Sequence, residues 1–151
     1  MVVPRTCLLM LAIALVGACA GRTRQVAPTP VPAADANVIV YLSNQSTARR
    51  FVVLAVYVDD RLAMRKEMAS VFKPDAPHDV PEAFPLRLSP GAHTIRVAVE
   101  GGLAQASTEV VVGAGTQHVG AAFWWHPGGR HEKKIPERIT IRVYDEEPGW
   151  V

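Results

Sequence analysis

Hydrophobic residues follow two different patterns along the chain. Residues 7–16 form one almost unbroken apolar run, Cys7 through Val16, preceded by Arg5 and followed by the small residues Gly17 and Ala18. From Val38 onward the apolar positions come in short stretches, many of them alternating with polar ones, which is the period of a half-buried β-strand. The first stretch is residues 38–42, after which Asn44-Gln45-Ser46 opens a polar loop. Residues 51–58 (FVVLAVYV) are apolar on both faces, so this strand is expected at the centre of a sheet. Asp59-Asp60 then predicts a turn, and residues 61–68 return as a hairpin partner through Leu62, Met64 and Met68.

Residues 70–85 contain Pro74, Pro77, Pro81 and Pro85 and predict a long irregular connection. Beyond it, Phe84, Leu86 and Leu88 alternate with polar residues up to Pro90-Gly91. Ile95, Val97 and Val99 alternate after it, the pattern of a hairpin. Gly101-Gly102 predicts the next turn, leading to residues 104–112 with Ala106, Thr108, Val110 and Val112 on one face. Gly113-Ala114-Gly115 leads to residues 118–125, whose Val119, Ala121, Phe123 and Trp125 share a side. Gly128-Gly129 opens a charged loop through Lys133 and Lys134. Ile139, Ile141 and Val143 make the last strand, ended by Asp145-Glu146-Glu147. About eight short strands with turns between them, and no helical period after residue 18, predict an all-β fold, an antiparallel β-sandwich over residues 38–151. No internal repeat of useful length is present.

The N-terminal run is shorter than the roughly 20 apolar residues a membrane-spanning helix needs, and its layout is that of an export signal. Val16-Gly17-Ala18-Cys19 resembles the lipobox of bacterial lipoproteins: an aliphatic residue, two small ones, then the cysteine to be modified. The resemblance implies that residues 1–18 are a signal peptide and that Cys19 becomes the first residue, carrying a diacylglycerol on sulfur and an acyl chain on its amine. Two or more chains give stable membrane attachment where one does not. Ala20 in place of Asp implies, by the same resemblance, the outer membrane of the cell envelope, facing the periplasm. Two other readings of the stretch stand beside this one. Ala18-Cys19-Ala20 fits ordinary A-x-A cleavage and a secreted protein beginning at Gly21, and a retained N-terminal helix would make the cysteines incidental. Residues 19–37 are rich in Pro, Ala and Thr without a hydrophobic period. Pro28, Pro30 and Pro32 favour an extended linker rising about 3.1 Å per residue.

Composition narrows the function classes. The 16 Lys and Arg less Arg5 leave 15 against 14 Asp and Glu, a net charge of +1 from Cys19 onward. That balance carries no nucleic-acid footprint and no trap for acidic substrates. On the lipobox reading Cys7 leaves with the signal and Cys19 is modified, so no cysteine would remain to pair and the domain would depend on its core.

A second resemblance covers about half of the domain. Val56-Tyr57-Val58-Asp59-Asp60, followed by Leu86-Arg87-Leu88-Ser89-Pro90-Gly91-Ala92-His93-Thr94-Ile95-Arg96-Val97, is similar to the small Ig-like and PEGA-type modules of bacterial envelope proteins. Asp59-Asp60 stands where those modules usually carry Gly. The resemblance implies an Ig-like sandwich acting as a non-catalytic spacer or adhesive domain.

Candidate chemistry is sparse. Five histidines follow Cys19, at 78, 93, 118, 126 and 131, and no pair of them has the short fixed spacing of a metal motif, so neither metal nor cofactor is expected. His93, just after a turn, is expected as a polar strand residue. No Gly-x-Ser-x-Gly elbow surrounds Ser43, Ser46, Ser89 or Ser107, and no Gly-rich phosphate loop occurs. Asp59-Asp60 could supply a carboxylate pair for acid–base work, but adjacent carboxylates at a hairpin tip are ordinary turn residues. The chain is therefore not expected to be an enzyme. Trp124-Trp125 is the more informative feature. With Val119, Ala121 and Phe123 inward, Trp125 belongs in the core and Trp124 on the outer face, at the parity of His118 and His126. An outward indole beside polar groups can stack on a sugar or dock a protein, unless a loop such as residues 70–85 covers it. Arg130, His131, Lys133, Lys134 and Arg138 form a basic rim nearby. The residues expected to bind a partner or ligand are Trp124, His118, His126 and Arg130.

Three functions fit these observations. The first is an envelope lipoprotein held to the membrane through Cys19, its sandwich binding an envelope protein or polysaccharide. The second is a structural accessory lipoprotein of a secretion or envelope complex. Gly120-Ala121-Ala122-Phe123-Trp124 resembles one family of secretion-system lipoproteins. The third is a secreted hydrolase using His118 or His126.

Overall fold

The computed structural model describes residues 28, 30–72 and 81–149. Cys19, the expected signal segment at residues 1–18 and His78 lie outside them. Eight strands follow in order: β1 (Val38–Ser46), β2 (Phe51–Val58), β3 (Arg61–Ala69), β4 (Glu82–Leu86), β5 (Gly91–Val99), β6 (Gln105–Val112), β7 (Gln117–His126) and β8 (Ile135–Tyr144). They form two four-stranded sheets, β4-β1-β7-β8 and β3-β2-β5-β6, packed face to face as an all-β sandwich. Every ladder is antiparallel except β1 with β7, which run parallel from Val38 beside Gln117 to Ser46 beside Trp125. Among the described residues no helix is long and apolar enough to cross a membrane.

The alternating positions account for the core. Val38, Val40 and Leu42 of β1 and Val119, Ala121 and Phe123 of β7 point inward from one sheet. Leu54 and Val56 of β2, Ile95 and Val97 of β5 and Val110 of β6 meet them from the other. Burying each of the larger aliphatic or aromatic side chains contributes about 1.5–3 kcal/mol, and no disulfide is needed among these elements. β2 is central, between β3 and β5, as its apolar run predicts. Asp59 and Asp60 both take positive φ, 49° and 62°, which gives the two-residue turn whose twist suits a β2–β3 hairpin.

Two expectations are corrected. The stretches on either side of Pro90-Gly91 do not form a hairpin, because β4 pairs with β1 whereas β5 pairs with β2 and β6. Residues 87–90 carry the chain from one sheet to the other, and alternation alone cannot distinguish that crossing from a turn. β1 does not end before Asn44; its parallel partner β7 keeps it extended through Ser46. Asn44, Ser46 and Ser70 are buried, and they form a closed network instead of a solvated loop. The Asn44 side chain donates to the Arg49 and Met68 carbonyls, the Ser46 hydroxyl donates to the Trp125 carbonyl, and Ser70 donates to the Ser46 carbonyl. These bonds join β1, β3 and β7 at one end of the sandwich. His93 lies in β5, as expected of a polar strand residue, and is buried there, as described below.

The end of the expected linker is seated on the domain. Pro30 bridges Leu86, the Val31 amide donates to the Pro85 carbonyl at 3.1 Å, and Asn37 exchanges side-chain bonds of 2.8 Å with both backbone groups of Leu88. Residues 30–37 thus cover the free side of β4, a position where Pro85 is tolerated and an unpaired edge would otherwise be open.

Candidate functional site

The outer face of the β4-β1-β7-β8 sheet is assembled by register. Across β1, β7 and β8 the outward residues fall in rows: Tyr41, Gly120 and Arg142; then Ser43, Ala122 and Thr140; then Gln45, Trp124 and Arg138. Small side chains at Ser43, Gly120 and Ala122 leave a depression in the middle of the sheet. Trp124 rises at one end and Tyr144 at the other, enclosing a cleft of about 290 Å³ that Gln45, Thr140 and Arg142 also line. The Trp124 indole Nε1–H donates to Thr140 Oγ1 at 3.0 Å, which ties the ring to β8 beside the cleft it lines. Trp124 is partly buried and Arg142 exposed, so the cleft opens to solvent. Trp125, one residue on, packs against the core beneath the Arg49 guanidinium, which lies 5.0 Å from its ring centroid.

The expected site residues share this face only in part. Trp124 is a wall of the cleft. His118 has the same parity but sits a row beyond Gly120, beside Ile39 and Tyr144, stacked on Tyr41 and hydrogen-bonded through Nδ1 to its hydroxyl at 3.0 Å. Burial, with the Glu147 charge nearby, raises the Tyr41 pKa and keeps that hydroxyl protonated. His126 lies at the far end of β7, its Nδ1 accepting the Gly128 amide and its Nε2 2.7 Å from the Glu132 carboxylate. Arg130 is exposed in the loop after it and does not line the cleft. Trp124, His118, His126 and Arg130 therefore do not converge on one point. Sequence reasoning missed the residues that shape the depression, Ser43, Gly120 and Ala122, and its other wall, Tyr144 with Arg142. The available signal was Gly120 and Ala122 at outward parity, where a solvated strand ordinarily carries larger polar side chains.

A second cluster lies where the chain enters the domain. His93 is 7% exposed, with Nδ1 2.7 Å from Asp59 Oδ2 and Nε2 2.9 Å from the Ser89 carbonyl, while the Ser89 hydroxyl is 3.3 Å away. Asp59 also accepts the Thr94 amide at 3.0 Å. Burial opposes charge on both groups. For Asp59 the bonds from Thr94 and His93 outweigh it and lower the pKa; for His93 the bonds to Asp59 and Ser89 outweigh it and raise the pKa. The order Asp, His, Ser resembles a nucleophilic triad, but the chemistry differs. Both ring nitrogens face acceptors, a carboxylate and a carbonyl, so the ring is held as an imidazolium with no lone pair to take a proton from Ser89. The cluster ties the β2–β3 turn to the sheet-crossing segment 87–90. A shallow cleft of about 260 Å³ lies over it, lined by Pro28, Arg61 and Arg87 among others.

Among the described residues no group of three or more His, Cys, Asp or Glu side chains is arranged to hold a metal ion. Compared with known proteins, the chain matches no protein-family model, no curated protein and no solved structure.

Proposed function

We propose that this chain is a lipid-anchored protein of the bacterial cell envelope whose β-sandwich is a non-catalytic binding module. The cleft between Trp124 and Tyr144 is its working surface. The observation that carries the binding half is the aromatic-walled depression itself, held open in the middle of a sheet by Ser43, Gly120 and Ala122. The anchoring half rests on Val16-Gly17-Ala18-Cys19 after a short apolar run. With the chain meeting β4 at Pro30, only residues 19–29 are left as a tether, an extended reach of about 35 Å at about 3.1 Å per residue. The domain then stays close to the outer-membrane surface, facing the periplasm.

Two experiments test the halves separately. Mass spectrometry of the processed protein is expected to find Cys19 as the first residue with lipid attached, and Cys19→Ser should release the protein from the membrane fraction. A soluble product beginning at Gly21 would contradict this. Trp124→Ala should reduce co-purification with envelope material at unchanged secondary structure, and unchanged co-purification would remove the cleft as the binding surface.

A second reading, a structural accessory lipoprotein of a secretion or envelope complex, is favoured by three apolar side chains at the end away from the tether. Leu103 in the β5–β6 turn is 99% exposed, and Phe51 and Phe72 are about half exposed. Under that reading Leu103→Ser, and not Trp124→Ala, would disrupt the assembly.

A further inference from the structure

We infer that the cleft takes a single carboxylate-bearing sugar ring, an acidic unit of an envelope glycan; this rests on the binding-module reading above. Stacking is the first reason. The polar edge of the Trp124 indole is already satisfied by Thr140, so what this cleft residue still has for a ligand is its apolar ring, the kind of surface on which the C–H face of a pyranose packs. The floor is the second. Gly120 offers no side chain and Ala122 only a methyl, so a flat ring can come down onto the sheet while the half-buried Gln45 offers its amide to the ring's substituents.

Charge is the third reason. Arg142 lines the cleft, and among the described residues no ion pair or hydrogen bond engages its guanidinium, whereas Arg49, Arg65 and Arg96 all pair with carboxylates. A planar fork of donors without an anion beside an aromatic wall matches a carboxylate better than a neutral hydroxyl. Size sets the limit of one ring, since about 290 Å³ is at the lower edge of small-molecule pockets, about 300–1,000 Å³. An extended peptide is a poorer fit. Peptides add to a free strand edge. The floor strands are paired on each side, β1 by β4 and β7, β7 by β1 and β8, so a peptide could add only along the outer edge of β8 and not on the cleft floor.

The test is a titration of the full-length processed protein in detergent with two sugars that differ by one carboxylate. N-acetylmuramic acid carries a lactyl carboxylate that N-acetylglucosamine lacks. Saturation-transfer NMR or tryptophan fluorescence should give a Kd about tenfold lower for the acid, the factor expected from one charge-assisted bond at a solvated site. Arg142→Gln should bring the two sugars within about twofold of each other, and Trp124→Ala should weaken both about tenfold. Ala122→Leu fills the floor without touching either wall and should abolish both, with an unchanged circular dichroism spectrum. Absence of binding by N-acetylmuramic acid, equal affinity for the two sugars, or a preference that survives Arg142→Gln would each overturn the inference. If the sugars fail while co-purification with envelope material still depends on Trp124, the ligand class is wrong and the binding module stands. If Cys19 proves unmodified, the anchor falls whatever the titration gives.

Discussion

The two sheets turn very different outer faces to their surroundings. On the β3-β2-β5-β6 sheet, arginines of the outer face find partners within their own sheet and its turns. The Arg96 guanidinium sits 3.9 Å from the Tyr57 ring centroid and 3.6 Å from the Asp60 carboxylate, and Arg65 pairs with Glu100 at 3.1 Å. On the β4-β1-β7-β8 sheet the corresponding centre holds Ser43, Gly120 and Ala122, with aromatic walls and an Arg142 that pairs with nothing among the described residues. Both faces share one core, so the difference does not come from the fold. A sandwich closes a face by covering it with its own side chains. A face with small side chains at its centre and aromatic rings at its ends is where something else is expected to sit.

Substitutions that separate these roles break or sharpen the contrast. The largest effect belongs to the core beneath both faces. Phe123→Ala empties a fully buried position and should cost about 3–5 kcal/mol by chemical denaturation, disturbing the cleft only as part of the whole fold. Next is the His93–Asp59 pair, outside both faces, where His93→Gln should cost about 1.5–3 kcal/mol. On the closed face, Arg96→Ala removes a cation–π contact and a weak ion pair, for about 0.5–1 kcal/mol, and should leave envelope binding unchanged. Trp124→Ala should be the smallest in stability, about 0.5 kcal/mol, and the largest in binding. If Arg96→Ala impairs binding as much as Trp124→Ala does, the two faces are not functionally distinct.

The His93–Asp59 pair also gives stability a pH dependence of known sign. The pKa of His93 is raised in the folded protein, so its contribution is complete below the ordinary histidine value of about 6.5 and is lost as pH rises through the folded value. Asp59 is lowered, so its contribution is present above the ordinary value of about 3.9 and is lost as pH falls through the folded one. Thermal melts across pH should place the pair's contribution highest between about pH 4 and 6.5. His93→Gln should flatten the decline on the alkaline side, and an unchanged profile would mean that the pair does not stay closed in solution.

The strands were legible because alternation survives on them. Val119, Ala121 and Phe123 fall inward and Trp124 outward as parity requires, and Asp59-Asp60 reads as the turn it is. What alternation does not encode is which strand lies beside which. β1 pairs with β7 over 70 residues away, so the row of Ser43, Ala122 and Thr140, and with it the cleft, could not be read from any single stretch. The same holds for His93 and Asp59, 34 positions apart, where an ordinary-looking polar residue became a buried cation because the sheet crossing folds over it. The Pro90-Gly91 pair looked like a hairpin for a related reason. Turn chemistry reports that the chain changes direction and is silent on whether it stays in the same sheet.

The central claim, that the open face of the β4-β1-β7-β8 sheet is the working surface, is tested most directly at the indole N–H resonances of the full-length protein. The chain has three tryptophans, of which Trp124 lies on the open face while Trp125 packs against the core and serves as an internal reference. On addition of solubilised envelope extract, the account predicts a shift or broadening of the Trp124 signal with Trp125 unmoved. An unchanged Trp124 signal, with perturbations confined to residues around Tyr57 and Arg96 on the other sheet, would contradict it.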